Sequence, residues 1–328
     1  MKKFWIFLII ILGSFLYSIH YEQTLAPLRP IISEGAFAIY KGEFVFKLQS
    51  YFRHLKFEYE PTPDKPENGD EIIYKNRNTD TKFTLMYGLT DNFLVECDVP
   101  YKDTKITSVD SNYGNYEEDS GIGQSEIKLR YRFWSRDSFA DLGFMCGVRL
   151  PSSNRRKKFE YLIINNPSLS SYNSSLPTYK VCPLETGGMD YLFGVNFSSE
   201  LERGLIVGDI QFEYTSDFEN RFGEREDPGN VLKYNLGYVY PVLNNLRLTL
   251  ELNAFKKYLS KINRIKQAYS DSLYIFLTPG VQFTAGENFI FEFALMWPIK
   301  TIVPFKDTGY IKGIDSKPWP VLGIYWLF

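Results

Sequence analysis

Residues suited to metal binding and nucleophilic catalysis are scarce in this sequence. Its 328 residues include three cysteines, Cys97, Cys146 and Cys182, and two histidines, His20 and His54. The cysteines form no Cys-x-x-Cys pair, so we predict that they act as small apolar side chains rather than as disulfides or metal ligands. The chain contains no Gly-x-Ser-x-Gly, His-Glu-x-x-His or phosphate-loop motif. We therefore predict no enzymatic activity, no cofactor and no metal site.

Long apolar runs are also missing. The apolar segment at residues 4–12 is shorter than the roughly 20 residues that a transmembrane helix needs. Two lysines precede this segment and a suitable cleavage site follows Ser18, so we predict a signal peptide over residues 1–18, with a retained anchor helix as the alternative. We expect residues 19–42 to form an N-terminal periplasmic segment and residues 43–328 to form a single domain.

The chain has little excess charge of either sign. Its formal net charge is −2 and its pI is about 5.9, which argues against nucleic acid as the main partner. Aromatic residues, in contrast, make up 17% of the chain. The position of the charges and aromatics along the sequence is therefore more informative than their totals.

Strict alternation of apolar and charged residues is the clearest pattern in the sequence, between residues 121 and 134. The apolar positions are Ile127, Leu129, Tyr131 and Phe133, and the charged positions are Glu126, Lys128, Arg130 and Arg132. Successive side chains of a β-strand point to opposite faces, so this segment predicts a strand with one apolar and one charged face. Similar segments recur about twelve times, without helical segments or a second core that could cover their apolar faces.

This repetition predicts an all-β fold, namely a transmembrane antiparallel up-and-down β-barrel of about twelve strands. The predicted connections alternate between short and long, which is typical of barrels with short periplasmic turns and long extracellular loops. A soluble β-sandwich is the alternative, but it would not carry aromatic residues on the same face of nearly every strand. We expect the longest connection, residues 151–188, to fold partly into the mouth of the barrel.

The polar face of each strand is expected to line the interior. The predicted lumen-lining residues are Lys82, Glu96, Asp98, Glu126, Lys128, Arg130, Arg132, Asp141, Arg149, Asp209, Glu213, Arg247, Glu251 and Glu292. Counting back from the predicted turn at residues 136–137 places Arg132 directly opposite Asp141. These charges could pair across adjacent strands and fill a narrow barrel, or they could set the selectivity of a water-filled pore.

Several motifs resemble one known family. They are Gly-Ile-Gly-Gln at residues 121–124, the charged strand at 128–133, Gly-Val-Arg-Leu-Pro at 147–151, Leu-Thr-Pro-Gly-Val-Gln-Phe at 277–283 and Glu-Asn at 287–288. As a set they resemble the outer-membrane β-barrel family named for the meta-cleavage pathway of phenol degradation, whose members are labelled transporters. The resemblance implies a barrel that passes aromatic or other hydrophobic compounds. The C-terminal residues Trp326 and Phe328 look like the signal by which the barrel-assembly machinery recognises its substrates.

The sequence therefore predicts a passive outer-membrane transporter or channel for small solutes in a Gram-negative cell envelope. Its expected partners are outer-membrane lipid, the barrel-assembly machinery and a solute that the sequence does not identify. Two alternatives stay open at this point, namely a structural or adhesion barrel acting through its extracellular loops and an outer-membrane surface enzyme.

Overall fold

The fold is known from a computed structural model of the chain. The structure describes residues 41–61, 72–109, 113–136, 140–151, 156–163, 188–219, 225–266, 271–302 and 309–328. The predicted signal peptide, most of the predicted periplasmic segment and Cys182 lie outside these residues. Cys97 and Cys146 are free thiols that are partly exposed.

The described residues form β-strands and no helix. The strands are β1 Phe44–Pro61, β2 Ile72–Thr90, β3 Phe93–Val109, β4 Tyr113–Ile122, β5 Ser125–Arg136, β6 Ala140–Leu150, β7 Arg156–Ile163, β8 Asp190–Leu201, β9 Gly204–Thr215, β10 Phe218–Glu219, β11 Arg225–Asp227, β12 Val231–Leu243, β13 Leu246–Lys257, β14 Lys261–Ile262, β15 Ile265–Lys266, β16 Ser272–Ala285, β17 Phe289–Ile302, β18 Gly309–Ser316 and β19 Trp319–Leu327. Nothing in this part of the chain is a helix long and apolar enough to cross a bilayer.

Twelve of these strands close into a barrel, as the sequence predicts. Around the ring the order is β1, β2, β3, β5, β6, β8, β9, β12, β13, β16, β17 and β19, and every neighbouring pair is antiparallel. The ring closes where β19 pairs with β1, from Val45 opposite Leu327 to Tyr51 opposite Val321. Closure removes the exposed edges that an open sheet would present to lipid.

The connections alternate in length, which confirms the predicted pattern. At one end, which we call the turn end, two or three residues join β2 to β3, β8 to β9, β12 to β13 and β16 to β17. The opposite end, which we call the loop end, carries the longer connections. It also carries a small separate sheet of β10, β11, β14 and β15.

The strands extend further at the loop end than the sequence predicts. The sequence predicts loops at residues 60–78 and 301–318, yet β2 begins at Ile72, β18 runs from Gly309 to Ser316, and both pair with β1. β3 similarly continues to Val109, and β4 and β7 pair beyond the barrel wall. The sequences of these segments mix polar and apolar residues without a two-residue period, but backbone hydrogen bonding does not require that period.

The two faces of the barrel have opposite character. Large exposed apolar side chains cover the outside, whereas the inward-facing side chains are mostly buried. Aromatic residues lie on the outside near both ends, where Phe44 stacks on Tyr87 at the turn end and Tyr191 contacts Tyr214 at the loop end. Such aromatic girdles mark the membrane interface in transmembrane barrels. The outside of this barrel is therefore suited to lipid and the inside holds the polar groups.

Candidate functional site

All the charged residues predicted to face inward are buried or partly exposed in the structure. Those that are buried are Glu96, Asp98, Lys128, Arg130, Asp209, Glu213, Arg247, Glu251 and Glu292. Those that are partly exposed are Lys82, Glu126, Arg132, Asp141 and Arg149. The ion pairs and hydrogen bonds of these side chains show how they are connected to one another.

Lys128 is the centre of a buried ion network between β2, β3 and β5. Its Nζ lies 2.8 Å from Asp98 Oδ2, 3.2 Å from Glu96 Oε1 and 3.0 Å from Glu126 Oε2. Glu96 stands directly opposite Lys128 in the register of β3 and β5, and it also pairs with Arg130. Lys82 of β2 also contacts Asp98, at 3.4 Å. Because Lys128 shares its three carboxylates with other cations in a largely buried environment, each member of this network depends on the others.

Arg149 is the centre of a second ion network, which continues the first around the barrel. Its guanidinium lies 2.6 Å from Glu126, 3.3 Å from Asp190 and 2.9 Å from Glu213, and Glu213 also pairs with Lys233. Glu126 contacts both Lys128 and Arg149, so it joins the two networks. We call the joined set the ion arc, which extends from β2 to β12.

A chain of neutral side chains extends the polar wall beyond the ion arc. Asn235 donates to Asp209 at 2.9 Å, Asn253 donates to Asn235 at 3.0 Å, and the Thr278 hydroxyl donates to Asn253 at 2.7 Å. Asp209, Asn235 and Asn253 stand opposite one another on β9, β12 and β13, and Thr278 of β16 lies two residues from the position opposite Asn253. Each side chain therefore bridges to the next strand. The inner wall is therefore tied together sideways by side chains as well as by the backbone.

Glu292 reaches across a neighbouring strand with the help of a glycine. Its Oε1 accepts a hydrogen bond from Gln49 at 2.8 Å and lies 3.5 Å from Lys47 Nζ, although β19 separates β17 from β1. Gly323 of β19 lies between them, and a Cβ on Gly323 would lie 2.2 Å from Glu292 Oε1 and 2.5 Å from its Cγ. The missing side chain makes the room that the glutamate needs.

We expect Gly323→Ala to destabilise the barrel by about 1–3 kcal/mol, because the added methyl group would displace Glu292 from Gln49 and Lys47. The loss can be measured by heating the purified barrel in SDS to a series of temperatures and separating folded from unfolded protein by gel electrophoresis. The midpoint temperature of unfolding should be lower for the variant. The same substitution made in a Glu292→Ala background should cost much less. An equal cost in both backgrounds would show that the glycine serves some other purpose.

An aromatic cluster on the inner face was missed by the sequence reasoning. Phe276 of β16 lies at its centre, with Trp319 at 4.6 Å and Phe255 at 6.0 Å between ring centroids. Tyr51 and Tyr274 pack against the same cluster. These aromatic residues occupy the alternate positions that polar residues occupy elsewhere on their strands. Tyr51, for example, follows Lys47 and Gln49 at two-residue spacing. This spacing is the signal in the sequence that could have placed them on the inner face.

One predicted pairing is wrong. Arg132 stands opposite Gly143, whereas Asp141 stands opposite Ser135, because a β-bulge between Arg132 and Trp134 shifts the register of β5 against β6. The two charged groups still approach to 3.8 Å. Arg132 also donates to Asn92 Oδ1 at 3.0 Å. It therefore holds the turn between β2 and β3 rather than forming a directly opposed cross-strand pair.

The two residues of the predicted assembly signal lie on the outside of the barrel at the turn end. Trp326 packs between Phe289 at 5.5 Å and Phe328 at 4.1 Å between ring centroids. The backbone of Phe328 donates a hydrogen bond to the Phe44 carbonyl at 3.0 Å, where the barrel closes. Recognition of these residues by the assembly machinery stays a prediction.

Comparison with known proteins gives structural matches but no sequence family. No family model matches the chain, and no curated protein matches it. An outer-membrane channel from Pseudomonas putida F1 has 12% sequence identity to this chain and a TM-score of 0.59, with 92% of this chain and 100% of that one covered.

Two autotransporter domains are also similar. The transport unit of AIDA-I from Escherichia coli has 8% identity and a TM-score of 0.47, over 96% of both chains. The translocator domain of NalP from Neisseria meningitidis has 10% identity and a TM-score of 0.45, over 88% of this chain and 89% of that one. Of these three structures, only the Pseudomonas channel has a TM-score above 0.5, so the assignment of the fold rests on it. The chain therefore has the closed twelve-stranded fold of an outer-membrane β-barrel.

Proposed function

We propose that this protein is a passive outer-membrane channel for small, partly apolar solutes, including aromatic compounds. The similarity to an outer-membrane channel over the whole length of that chain supports the proposal. The apolar exterior and its aromatic girdle support a location in the outer membrane. The family resemblance of the sequence motifs agrees with the same class of solute.

The observation that carries this proposal is the division of the inner wall into two unlike surfaces. The ion arc includes β5, while the aromatic cluster centres on β16, and these strands lie on opposite sides of the ring. Sites for small molecules typically combine an apolar surface with a few fixed polar groups. A solute with an aromatic body and a polar group could contact both surfaces as it passes.

Part of the inner face is tightly packed in this structure, and this observation favours a second candidate function. Val207, Val239, Ala294 and Val321 face inward and are fully inaccessible to water. Passage of a solute past these residues would require inner side chains to move. A barrel that never opens would instead serve as a structural or adhesion module that acts through its loop end.

Conductance in planar bilayers distinguishes the two functions. We expect the purified barrel to produce discrete current steps, and Trp319→Ala to enlarge them because it removes a bulky side chain from the inner wall. Trp297→Ala is the matched control, since this tryptophan lies on the outer face. A complete lack of current with both variants and with the original chain would favour the structural barrel.

A further inference from the structure

Four cationic side chains lie at a similar height on the barrel wall, towards the loop end. They are Arg53 of β1, Lys82 of β2, Lys233 of β12 and Lys257 of β13, each eight to eleven residues from the end of its strand at the turn end. Each is an even number of residues from a buried polar side chain of its own strand, so the two-residue period assigns it to the inner face. We call these four residues the cationic belt.

Three residues of the cationic belt pair with a carboxylate, and in every pair the cation is the more exposed partner. The exposed fractions of the side chains are 40% for Arg53 against 15% for Asp80, 29% for Lys82 against 1% for Asp98, and 26% for Lys233 against 4% for Glu213. Arginine and lysine side chains are long, so their charged groups reach past the shorter carboxylates towards water. A solute therefore meets positive charge first, although the wall beneath carries both signs.

Two other charged residues near this height show where the balance lies. Lys257 is exposed, and no carboxylate of the described residues lies within ion-pair distance of it. Glu126 is the exception to the pattern, because it is 18% exposed and its partner Lys128 only 4%, but Glu126 is shared between Lys128 and Arg149. The accessible charge of the inner wall is therefore mainly positive at this height. Low-dielectric walls strengthen such a potential and concentrate ions of the opposite sign.

Arg53 connects the cationic belt to the aromatic cluster. Its guanidinium carbon lies 5.9 Å from the ring centroid of Tyr51 and 5.6 Å from that of Trp319. Arginine can stack on an aromatic ring and pair with a carboxylate at the same time. Positive charge and aromatic surface thus adjoin each other at this position.

We propose that the cationic belt makes the barrel selective for anionic solutes, in particular small aromatic acids, by concentrating them at the loop end of the interior. Rings of arginine and lysine side chains select anions in other pores by the same physical effect. The proposal rests on the proposed channel function, because it names the charge of the solute that the channel admits. A cationic solute is repelled, and a neutral aromatic compound gains nothing from the belt.

The reactivity of one introduced thiol tests the sign of this potential without relying on conductance. Asn78 stands directly opposite Arg53 in the register of β1 and β2, so Asn78→Cys places a thiol beside the belt. The three natural cysteines are replaced with alanine in the same chain. Two methanethiosulfonate reagents, one carrying a sulfonate and the other a trimethylammonium group, then compete on equal terms for the same thiolate. Their rate ratio, divided by the ratio for a free thiol in water, measures the local potential.

We expect the normalised ratio to favour the sulfonate reagent by about tenfold at low salt, and by much less at about 1 M salt, where the charges are screened. Lys82→Gln, Lys233→Gln and Lys257→Gln combined should reduce the preference by at least about threefold, because they remove three of the four belt charges. Lys256→Gln is the matched control. Lys256 precedes Lys257 on β13, so the two-residue period assigns it to the outer face, and its loss should leave the preference unchanged.

The triple variant should still fold, because the carboxylates it leaves behind keep another cation. Asp98 lies 2.8 Å from Lys128, and Glu213 lies 2.9 Å from Arg149. Equal normalised rates for the two reagents, a faster reaction with the trimethylammonium reagent, or an unchanged preference in the triple variant would each overturn the proposal. A thiol that reacts with neither reagent would overturn it as well, since solutes from water would then not reach the belt.

Planar bilayers separate this proposal from the proposed channel function. Under a potassium chloride gradient, the reversal potential of the original chain should show a preference for chloride, and the triple variant should lose that preference. Current that prefers potassium would overturn the role of the belt and leave the channel in place. A belt-dependent preference for the sulfonate reagent in a barrel without current would support the positive potential and overturn the channel.

Discussion

Replacing Lys128 with glutamine should lower the free energy of unfolding of the barrel by about 3–5 kcal/mol, because it removes one partner from a buried ion network. Lys128 is 3% exposed, and its ammonium group contacts Glu96, Asp98 and Glu126. Glutamine keeps the length of the side chain but leaves these carboxylates without their shared cation. Urea unfolding of the barrel in lipid vesicles, followed by tryptophan fluorescence, measures the loss.

Two further variants show whether the loss comes from charge. Lys82→Gln is the matched control, because Lys82 is partly exposed and its contact with Asp98 is a longer 3.4 Å, so it should cost less than about 1 kcal/mol. Lys128→Gln combined with Asp98→Asn should cost less than the sum of the two single variants, since the second change removes one of the stranded charges. Equal losses for Lys128→Gln and Lys82→Gln would contradict the central place of Lys128.

Leu129→Arg should destabilise the barrel by about 2–4 kcal/mol, because it places a charge on the lipid-facing side near the middle of the membrane. Leu129 lies near the middle of β5, and its side chain points outward next to the inward-facing Lys128. The expected loss is of the same size as that of Lys128→Gln but has a different cause. The first removes a counter-charge inside the barrel, and the second adds an unsolvated charge outside it.

Depth in the membrane provides the control for Leu129→Arg. Leu243 is also exposed on the outside, but it lies beside the short turn between β12 and β13. Leu243→Arg should therefore cost only about 0–1 kcal/mol, because an arginine at the membrane edge can reach water. Gel electrophoresis of unheated samples measures the fraction of folded barrel for both variants. Equal losses of folded barrel would show that the membrane surrounds a different part of the barrel.

Interior positions illustrate how much of the candidate site the sequence could predict. The two-residue period predicts that Glu96, Lys128 and Glu292 face inward, because a strand with a lipid-facing side leaves only one side for charges, and all three are buried in the structure. The same period failed for Tyr51 and Phe276, since aromatic residues suit either face and carry no polar signal. It also failed in the strand extensions at the loop end, because their sequences show no two-residue period.

The sequence by itself determined the fold class and the strand number, because lipid on one side of the wall imposes an alternation of apolar and polar residues on the strands that cross it. Only the tertiary structure decided which charges meet. Arg149 pairs with Glu213, 64 positions away, and Gln49 pairs with Glu292, 243 positions away. Alternation contains no information about register or barrel closure, so it could not reveal the room that Gly323 leaves for Glu292.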